Sequence, residues 1–383
     1  IFYTGNNAHY RSIGKPEQGV MHATSRDLRT WEKDATFTLL LPPDGYTPHD
    51  WRDPFVFWNE EADEWWMLLA ARQINRPGLR GVTALLSSSD LGTWHVREPF
   101  WSPDLYYTHE CPDLFRMGDW WYLIFSEFSE RHTTHYRMSR SLQGPWLAPP
   151  DDDLDTRAWY AGKTAGVGQE RYAFGWLASR QGEKDNGPWQ WGGTLVTHRL
   201  TQQPDGTLAV SMPASIAAAF QAPLTVIAKP LSGTWQGTDL MVRAEPLHGR
   251  SLLLLGELPK TVLLDVTLTL EPGTHGAGVF LRSDPLGSGF QHEVRLELQR
   301  QRIVLDRHAR NSDAPFVLER PCRLTAGQPS HLRILLDDIC IIAYVDDQVA
   351  LSGRIYEPFG EQWGFFVNDG GARFERYQAR RMI

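Results

Sequence analysis

The 383 residues contain only three cysteines, Cys111, Cys322 and Cys340, with no metal-ligand spacing and no disulfide framework among them. Basic charge is in deficit. Lys and Arg number 38 against 46 Asp and Glu, a formal net charge of −8 with no basic cluster to overrule it, so no nucleic-acid partner is expected. No apolar run approaches the ~18 residues of a membrane span, and no membrane partner is expected either. Helical patterning is scarce, which points to an all-β chain. His109, His132 and His135 show no defensible ligand spacing, so no metal and no cofactor is expected. What is plentiful is tryptophan, 16 residues in a soluble-type mix of 42% hydrophobic and 22% charged residues. Carbohydrate sites are often walled by such rings, and cores are filled by them. The chain starts at Ile1 without Met, so a preceding signal peptide stays open, and with it a cytoplasmic or secreted location. Oligomeric state is also left open.

A repeated unit organises the first half. Ser25-Arg26-Asp27-Leu28-Arg29-Thr30-Trp31 returns as Ser88-Ser89-Asp90-Leu91-Gly92-Thr93-Trp94, and more loosely as Ser139 to Trp146. Each copy follows strand signals, and a fixed order of strands per repeat is the mark of a propeller. The best unit reads as strands 54–58, 65–71, 82–87 and 94–100. The next reads as 112–116, 120–125, 135–139 and a short one at Trp146, and a further unit covers 159–165, 171–177, 192–200 and 207–212. The first visible unit begins at Phe2-Tyr3-Thr4 and reads as lacking its innermost strand, so nearly four blades are expected, with an N-terminal piece omitted. An Ala-rich segment, 214–220, reads as a linker helix. Beyond it, long alternating strands separated by Asp337-Asp338, Asp346-Asp347 and Asp369-Gly370-Gly371 predict a β-sandwich without catalytic groups. The expected domains are a propeller over 1–213, a linker over 214–232 and a sandwich over 233–383.

Two acids recur beside a proline that opens a strand: Asp53 before Pro54, and Glu110 before Cys111-Pro112. Both are expected at strand ends, converging on one funnel as a carboxylate pair. Cys111 reads as a small buried residue next to Glu110, whose charge raises the thiol pKa. Asp113 either ties a loop or braces the site. The run Asp151-Asp152-Asp153 reads as a solvated loop.

Arg52-Asp53-Pro54 and Glu110-Cys111 resemble two signature motifs of glycoside hydrolase family 32, the β-fructofuranosidase family. The segments Phe2 to Asn6, Pro42 to His49, Tyr160 to Thr164, Ala173 to Trp176 and Trp191 to Gly193 resemble others in family order, and Leu332 to Tyr356 resembles the family's sandwich module. The resemblance implies a five-bladed β-propeller, its first blade incomplete here, followed by a C-terminal β-sandwich. It implies retaining cleavage of β-fructosyl linkages in sucrose or a fructan. Glu110 would be the acid/base, and Asp53 would stabilise the transition state. Arg52, Cys111, Asp113, Trp159, Tyr160, Lys163 and Trp191 would line the sugar site. The family's nucleophile is an aspartate in an Asn-Asp-Pro motif, which these 383 residues lack. The chain as given is therefore expected to be inactive. Two other readings stay open: a five-bladed arabinan- or xylan-degrading hydrolase, and a non-catalytic carbohydrate-binding propeller.

Overall fold

The computed structural model describes residues 1–34, 40–74, 76–78, 80–167, 170–238, 241–284, 290–310 and 317–383. These divide into two compact units, Ile1–Asp153 with Tyr160–Gln169, and Leu154–Trp159 with Glu170–Ile383. Our domain limits, 1–213, 214–232 and 233–383, divide the chain by type of sheet instead and remain a proposal.

The first unit holds three small antiparallel sheets. After β1 (Phe2–Asn6) and the short helix α1 (Ala8–Ser12) come β2 (Gln18–Thr24) and β3 (Glu32–Lys33), in order β1-β2-β3. The second sheet is β4 (Tyr46–Asn59), β5 (Glu64–Gln73), β6 (Gly81–Ser88) and β7 (His95–Val96), each paired with the next. The third is β8 (Glu110–Met117), β9 (Trp120–Glu127) and β10 (Thr133–Ser139). The expected fourth strands shrink. The one at Trp94 is two residues long, and the one at Trp146 is a single bridge between Met138 and Leu147. Strand β4 is longer than expected, so Asp53 lies within it rather than at its end.

These sheets stack through the two-residue period of their strands. On β5, Met67, Leu69 and Ala71 pack with Val20 of β2 and with Trp51, while the alternate Leu68 packs with Leu114, Leu123 and Phe125 of the third sheet. Strand β5 is thus buried on both faces, which explains the near-continuous apolar run of Met67-Leu68-Leu69-Ala70-Ala71.

The repeated signature is a turn. The Asp27 carboxylate accepts the Arg29 and Thr30 amides at 2.8 and 2.7 Å, and Asp90 accepts those of Gly92 and Thr93 at 2.9 and 2.8 Å. A side chain that mimics a backbone turn is what Asp supplies there. These bonds hold the Asp27 carboxyl down at about 2, the Thr30 amide contributing most.

Trp159 is the last residue of the second unit before Tyr160, and it opens β11 (Trp159–Val167). Strands β12 (Glu170–Arg180), β13 (Trp189–Gln202) and β14 (Leu208–Ser211) follow as an antiparallel sheet. The Ala-rich segment forms α2 (Ala214–Ala218). Beyond it the strand Gln362–Met382 pairs with Met241–Glu257, Thr261–Leu270 and Gly276–Ser283. The paired aspartates make hairpin turns as expected: Asp338, Asp346, Asp347 and Asp369 all adopt positive φ. A buried carboxylate also braces this unit. Asp155 accepts the Ser352 amide at 2.7 Å and His198 Nε2–H at 2.8 Å, while the Tyr344 hydroxyl donates to His198 Nδ1 at 2.9 Å. A carboxylate can only accept, so this pairing fixes the imidazole tautomer.

Trp159 is wholly buried, and its indole donates to the Val196 carbonyl at 3.1 Å. It packs the core instead of walling a sugar pocket. A Cβ on Gly175 would lie 2.4 Å from its ring, and one on Gly193 would lie 1.8 Å from the Leu177 carbonyl oxygen. Close approach therefore explains both glycines. Gly175→Ala is expected to lower stability by about 1–3 kcal/mol, as overpacking against a rigid buried ring does. Equilibrium urea unfolding measures it, and an unchanged midpoint would show that the indole yields freely.

Candidate active site

Three strands deliver the site, and each breaks its pleat to do so. Asp53 on β4, Cys111 on β8 and Ala161 on β11 have φ of 61°, 51° and 57°. The β4–β5 register slips between Arg52 and Phe55, and the β8–β9 register slips between Glu110 and Asp113. A bulge re-aims side chains and tolerates proline, which has no ladder amide to give. Pro54 and Pro112 sit in those slips. The residues just before the left-handed positions, Arg52, Glu110 and Tyr160, are the ones that meet. Non-glycine residues held there cost about 1–3 kcal/mol each, a strain that clusters at functional sites.

Arg52 is the hub. Its Nη2 donates to Glu110 Oε1 at 2.7 Å, its Nε lies 3.8 Å from Asp53 Oδ2, and its Nη1 donates to Asp50 Oδ1 at 3.0 Å. Gln18 Oε1 accepts from the same Nη1 at 3.3 Å. The other oxygen of Glu110, Oε2, accepts from the Tyr160 hydroxyl at 2.5 Å. Asp53 Oδ2 accepts the Cys111 amide at 3.0 Å, and the Asp53 amide donates to Thr4 Oγ1 at 2.9 Å. Asp53 is the more open carboxylate, its side chain 23% exposed against 8% for Glu110.

Burial raises the Glu110 pKa above the usual carboxylate range, although Arg52 and Tyr160 pull the other way. Burial opposes charge on Arg52, yet Glu110 and Asp53 outweigh it and hold the guanidinium firmly protonated. Burial first, then Asp53, pushes the Cys111 thiol well up, so it is no nucleophile. Burial and Glu110 likewise keep the Tyr160 phenol protonated.

Asp113 is buried and accepts the Thr164 amide, and Lys163 Nζ donates to the Pro112 carbonyl at 2.7 Å. These two clasps hold β11 beside β8 and so set Tyr160 against Glu110. Among the expected site residues, Arg52, Asp53, Glu110, Cys111, Asp113, Tyr160 and Lys163 come together in the first unit. Trp191 belongs to the second, where it is 66% exposed with its ring edge-on to Trp176. Sequence reasoning left Gln18, Thr4 and His132 out of the site, and offered Asp50 only as a substitute nucleophile. Asp50 carried a signal, since it stands two residues before Arg52 and shares its strand face. The His132 ring stacks on Tyr160 at 4.4 Å, a contact with no local signature.

The Asp151–Asp153 run is not a solvated loop. Asp152 is buried, and it pairs with Arg131 at 2.7 Å, His135 at 3.2 Å and Arg137. Asp153 pairs with Arg131 at 2.8 Å and His135 at 3.0 Å. Among the described residues, His135, Asp152 and Asp153 bring ligand atoms within 4.8 Å of one another, close enough to hold a metal. The two arginines already occupy those carboxylates, so the donor set suits an ionic cluster better than a cation. Burial opposes charge on His135, but Asp152, Asp153 and Glu127 together push it up to about 10.

Residues 1–210 match the family model "Glycosyl hydrolases family 32 N-terminal domain". A sucrose-6-phosphate hydrolase of Escherichia coli is 24% identical over 370 residues, covering 91% of this chain and 70% of that protein. A raffinose invertase of the same species is 33% identical over 128 residues, covering 33% of this chain and 25% of that protein. Fructan 1-exohydrolase IIa from Cichorium intybus has the same fold, with a TM-score of 0.75 at 16% identity, over 100% of this chain and 80% of that one. The architecture is thus β-propeller followed by β-sandwich.

Two pH dependences follow. Because the folded Glu110 pKa is raised, its burial favours the fold at low pH and weighs against it as pH rises past the unfolded carboxylate range. Glu110→Gln is therefore expected to gain thermal stability over the parent between pH 4 and 8, read by calorimetry. An equal difference at both pH values would refute it. His135, with a folded pKa near 10, contributes stability fully below about 6.5 that is lost as pH rises through 10. His135→Gln should cost about 3 kcal/mol at pH 6 and progressively less toward pH 10 in urea unfolding.

Proposed function

The chain belongs to glycoside hydrolase family 32, and from that premise we propose that Glu110 and Asp53 form the acid side of its β-fructosyl-cleaving site. Cleavage builds oxocarbenium character at the anomeric carbon while the leaving oxygen needs a proton. Glu110 supplies that proton and later takes one from water. Burial raises its pKa, which favours the acid form that this role needs. The two oxygens of Glu110 are not equivalent. Arg52 can only donate, so it fixes Oε1 as an acceptor, whereas the Tyr160 hydroxyl can donate or accept. The transferable proton therefore resides on Oε2. Asp53, more open and held by the Cys111 amide, grips the sugar hydroxyls and balances the developing positive charge.

The observation that carries this reading is the shared guanidinium. Arg52 touches both carboxylates although Glu110 stands 58 positions along the chain. The substrate is sucrose or a fructan, in keeping with the named activities of the related hydrolase, invertase and exohydrolase. Hydrolysis of arabinan or xylan is the reading this displaces.

The finer reading is that the 383 residues alone do not turn over substrate, since no Asn-Asp-Pro aspartate is among them. A missing nucleophile removes the covalent two-step route. Fructose release from sucrose, inulin, levan and arabinan tests both parts. Without additive, release is expected to stay at the background rate. With sodium azide, whose nitrogen attacks the anomeric carbon as Glu110 Oε2 protonates the departing oxygen, fructosyl azide is expected from the fructosides only. Glu110→Gln should lower that azide-dependent rate by about 10²–10⁴. Robust release without azide would make another acid, Asp50 or Asp113, the nucleophile. Azide-dependent cleavage of arabinan instead would favour the rival hydrolase, and sugar binding with no cleavage under any condition would favour a non-catalytic propeller.

A further inference from the structure

The register of the β8–β9 hairpin pairs Glu110 with Ser126. The chain entering β8 and the chain leaving β9 therefore lie at the same end of the sheet as the acid. Two aromatic rings stand there in the open. Tyr107 is 38% exposed and Phe128 is 41% exposed, with ring centroids 5.7 Å apart and planes at 50°. Their ledge is built, since the Tyr107 amide donates to Ser129 Oγ at 3.0 Å, and Ser129 is itself tied to Glu127. The Arg72 guanidinium lies 3.7 Å from the centre of the Tyr107 ring. Arg72 is buried, and its Nε has no hydrogen-bond partner among the described residues.

This ledge is continuous with the acid. Arg72 Nη1 lies 3.4 Å from Asp50 Oδ2, Asp50 Oδ1 accepts from Arg52 Nη1 at 3.0 Å, and Arg52 holds Glu110. Tyr107 precedes Glu110 by three residues, a reach of at most about 11 Å for extended chain.

We propose that Tyr107 and Phe128, braced by Arg72, form the platform for the sugar ring that leaves. The proposal rests on Glu110 being the acid, because the occupant is then fixed by covalent connection. Whatever is bonded to the oxygen that Glu110 protonates must lie within about one ring's length of it. A sugar offers an apolar C–H face to an aromatic ring and hydroxyls to its rim. The Arg72 charge is already paired with Asp50, so the ledge does not demand an anion. Its ligand class is the neutral hexosyl or fructosyl leaving group of a β-fructoside.

Binding separates this from the fructosyl site. The full chain is titrated calorimetrically with sucrose, with 1-kestose and with methyl β-D-fructofuranoside, whose leaving group is only methanol. Tyr107→Ala and Phe128→Ala are expected to weaken sucrose and 1-kestose by about fivefold or more each, with methyl fructoside within about twofold. Tyr107→Phe, which keeps the ring, should retain most of the affinity. Unchanged affinity for sucrose and 1-kestose, or equal weakening of all three ligands, would overturn the platform. The parent reading fails differently. If Asp53→Asn leaves methyl fructoside binding untouched, the fructosyl site lies elsewhere. If the unaltered chain binds none of the three, both readings fall.

Discussion

The site depends on one guanidinium held in a fixed place. Arg52 meets Glu110 on one side and Asp53 on the other, and neither contact is useful unless the arginine itself is restrained. Asp50 and Gln18 supply that restraint on Nη1, and Thr47 and Arg72 in turn hold the second oxygen of Asp50 at 3.0 and 3.4 Å. The charges nearly cancel. Arg52 and Arg72 face Asp50, Asp53 and Glu110, so a protonated Glu110 leaves the group neutral, which suits a largely buried site. Burial then favours the acid form of Glu110, while Arg52 pulls toward the ionised form.

The backbone is what brings these groups to one place. A regular strand would send Arg52 and Asp53 to opposite faces, as it would Glu110 and Cys111. The left-handed residues Asp53, Cys111 and Ala161 interrupt the pleat, and the prolines after the first two are placed where an amide is not needed. Cys111 then has a plain purpose. Its amide reaches Asp53, and its thiol, kept protonated, lies 3.8 Å from the same carboxylate oxygen. Asp113 and Lys163 clasp the neighbouring strand so that Tyr160 meets Glu110 squarely.

Away from the site, the same side-chain chemistry serves stability. Asp152 and Asp153 lie in an ionic cluster with His135, Arg131 and Arg137, and Asp155 ties Thr156, His198 and Ser352 through its two oxygens. A buried carboxylate persists only when its charge is compensated, by Arg131, Arg137 and His135 in the first place and by His198 and Ser352 in the second. Trp159 illustrates the converse. The neighbour of Tyr160, which meets Glu110, is itself drawn into the core because Gly175 leaves room for its indole face and Val196 accepts its N–H.

The sequence by itself determined the all-β class, the blade repeat, the sandwich beyond it and the two acids beside their prolines. All of these are written in short-range signals: period-two alternation, the Asp-capped turn at Asp27 and Asp90, proline at a strand break, and paired aspartates at hairpins. Tertiary structure alone decided the rest. Which rings face a pocket cannot be told from the Trp159–Tyr160 pair, because alternation sends neighbours to opposite faces without saying which face is wet. That Asp152 is buried while Asp346 turns a hairpin depends on Arg137 of β10 and on Arg131 in the loop before it. The contact of His132 with Tyr160, and the hold of Arg52 on two carboxylates, exist only once distant strands lie side by side. No residue's neighbours in the chain record that distance.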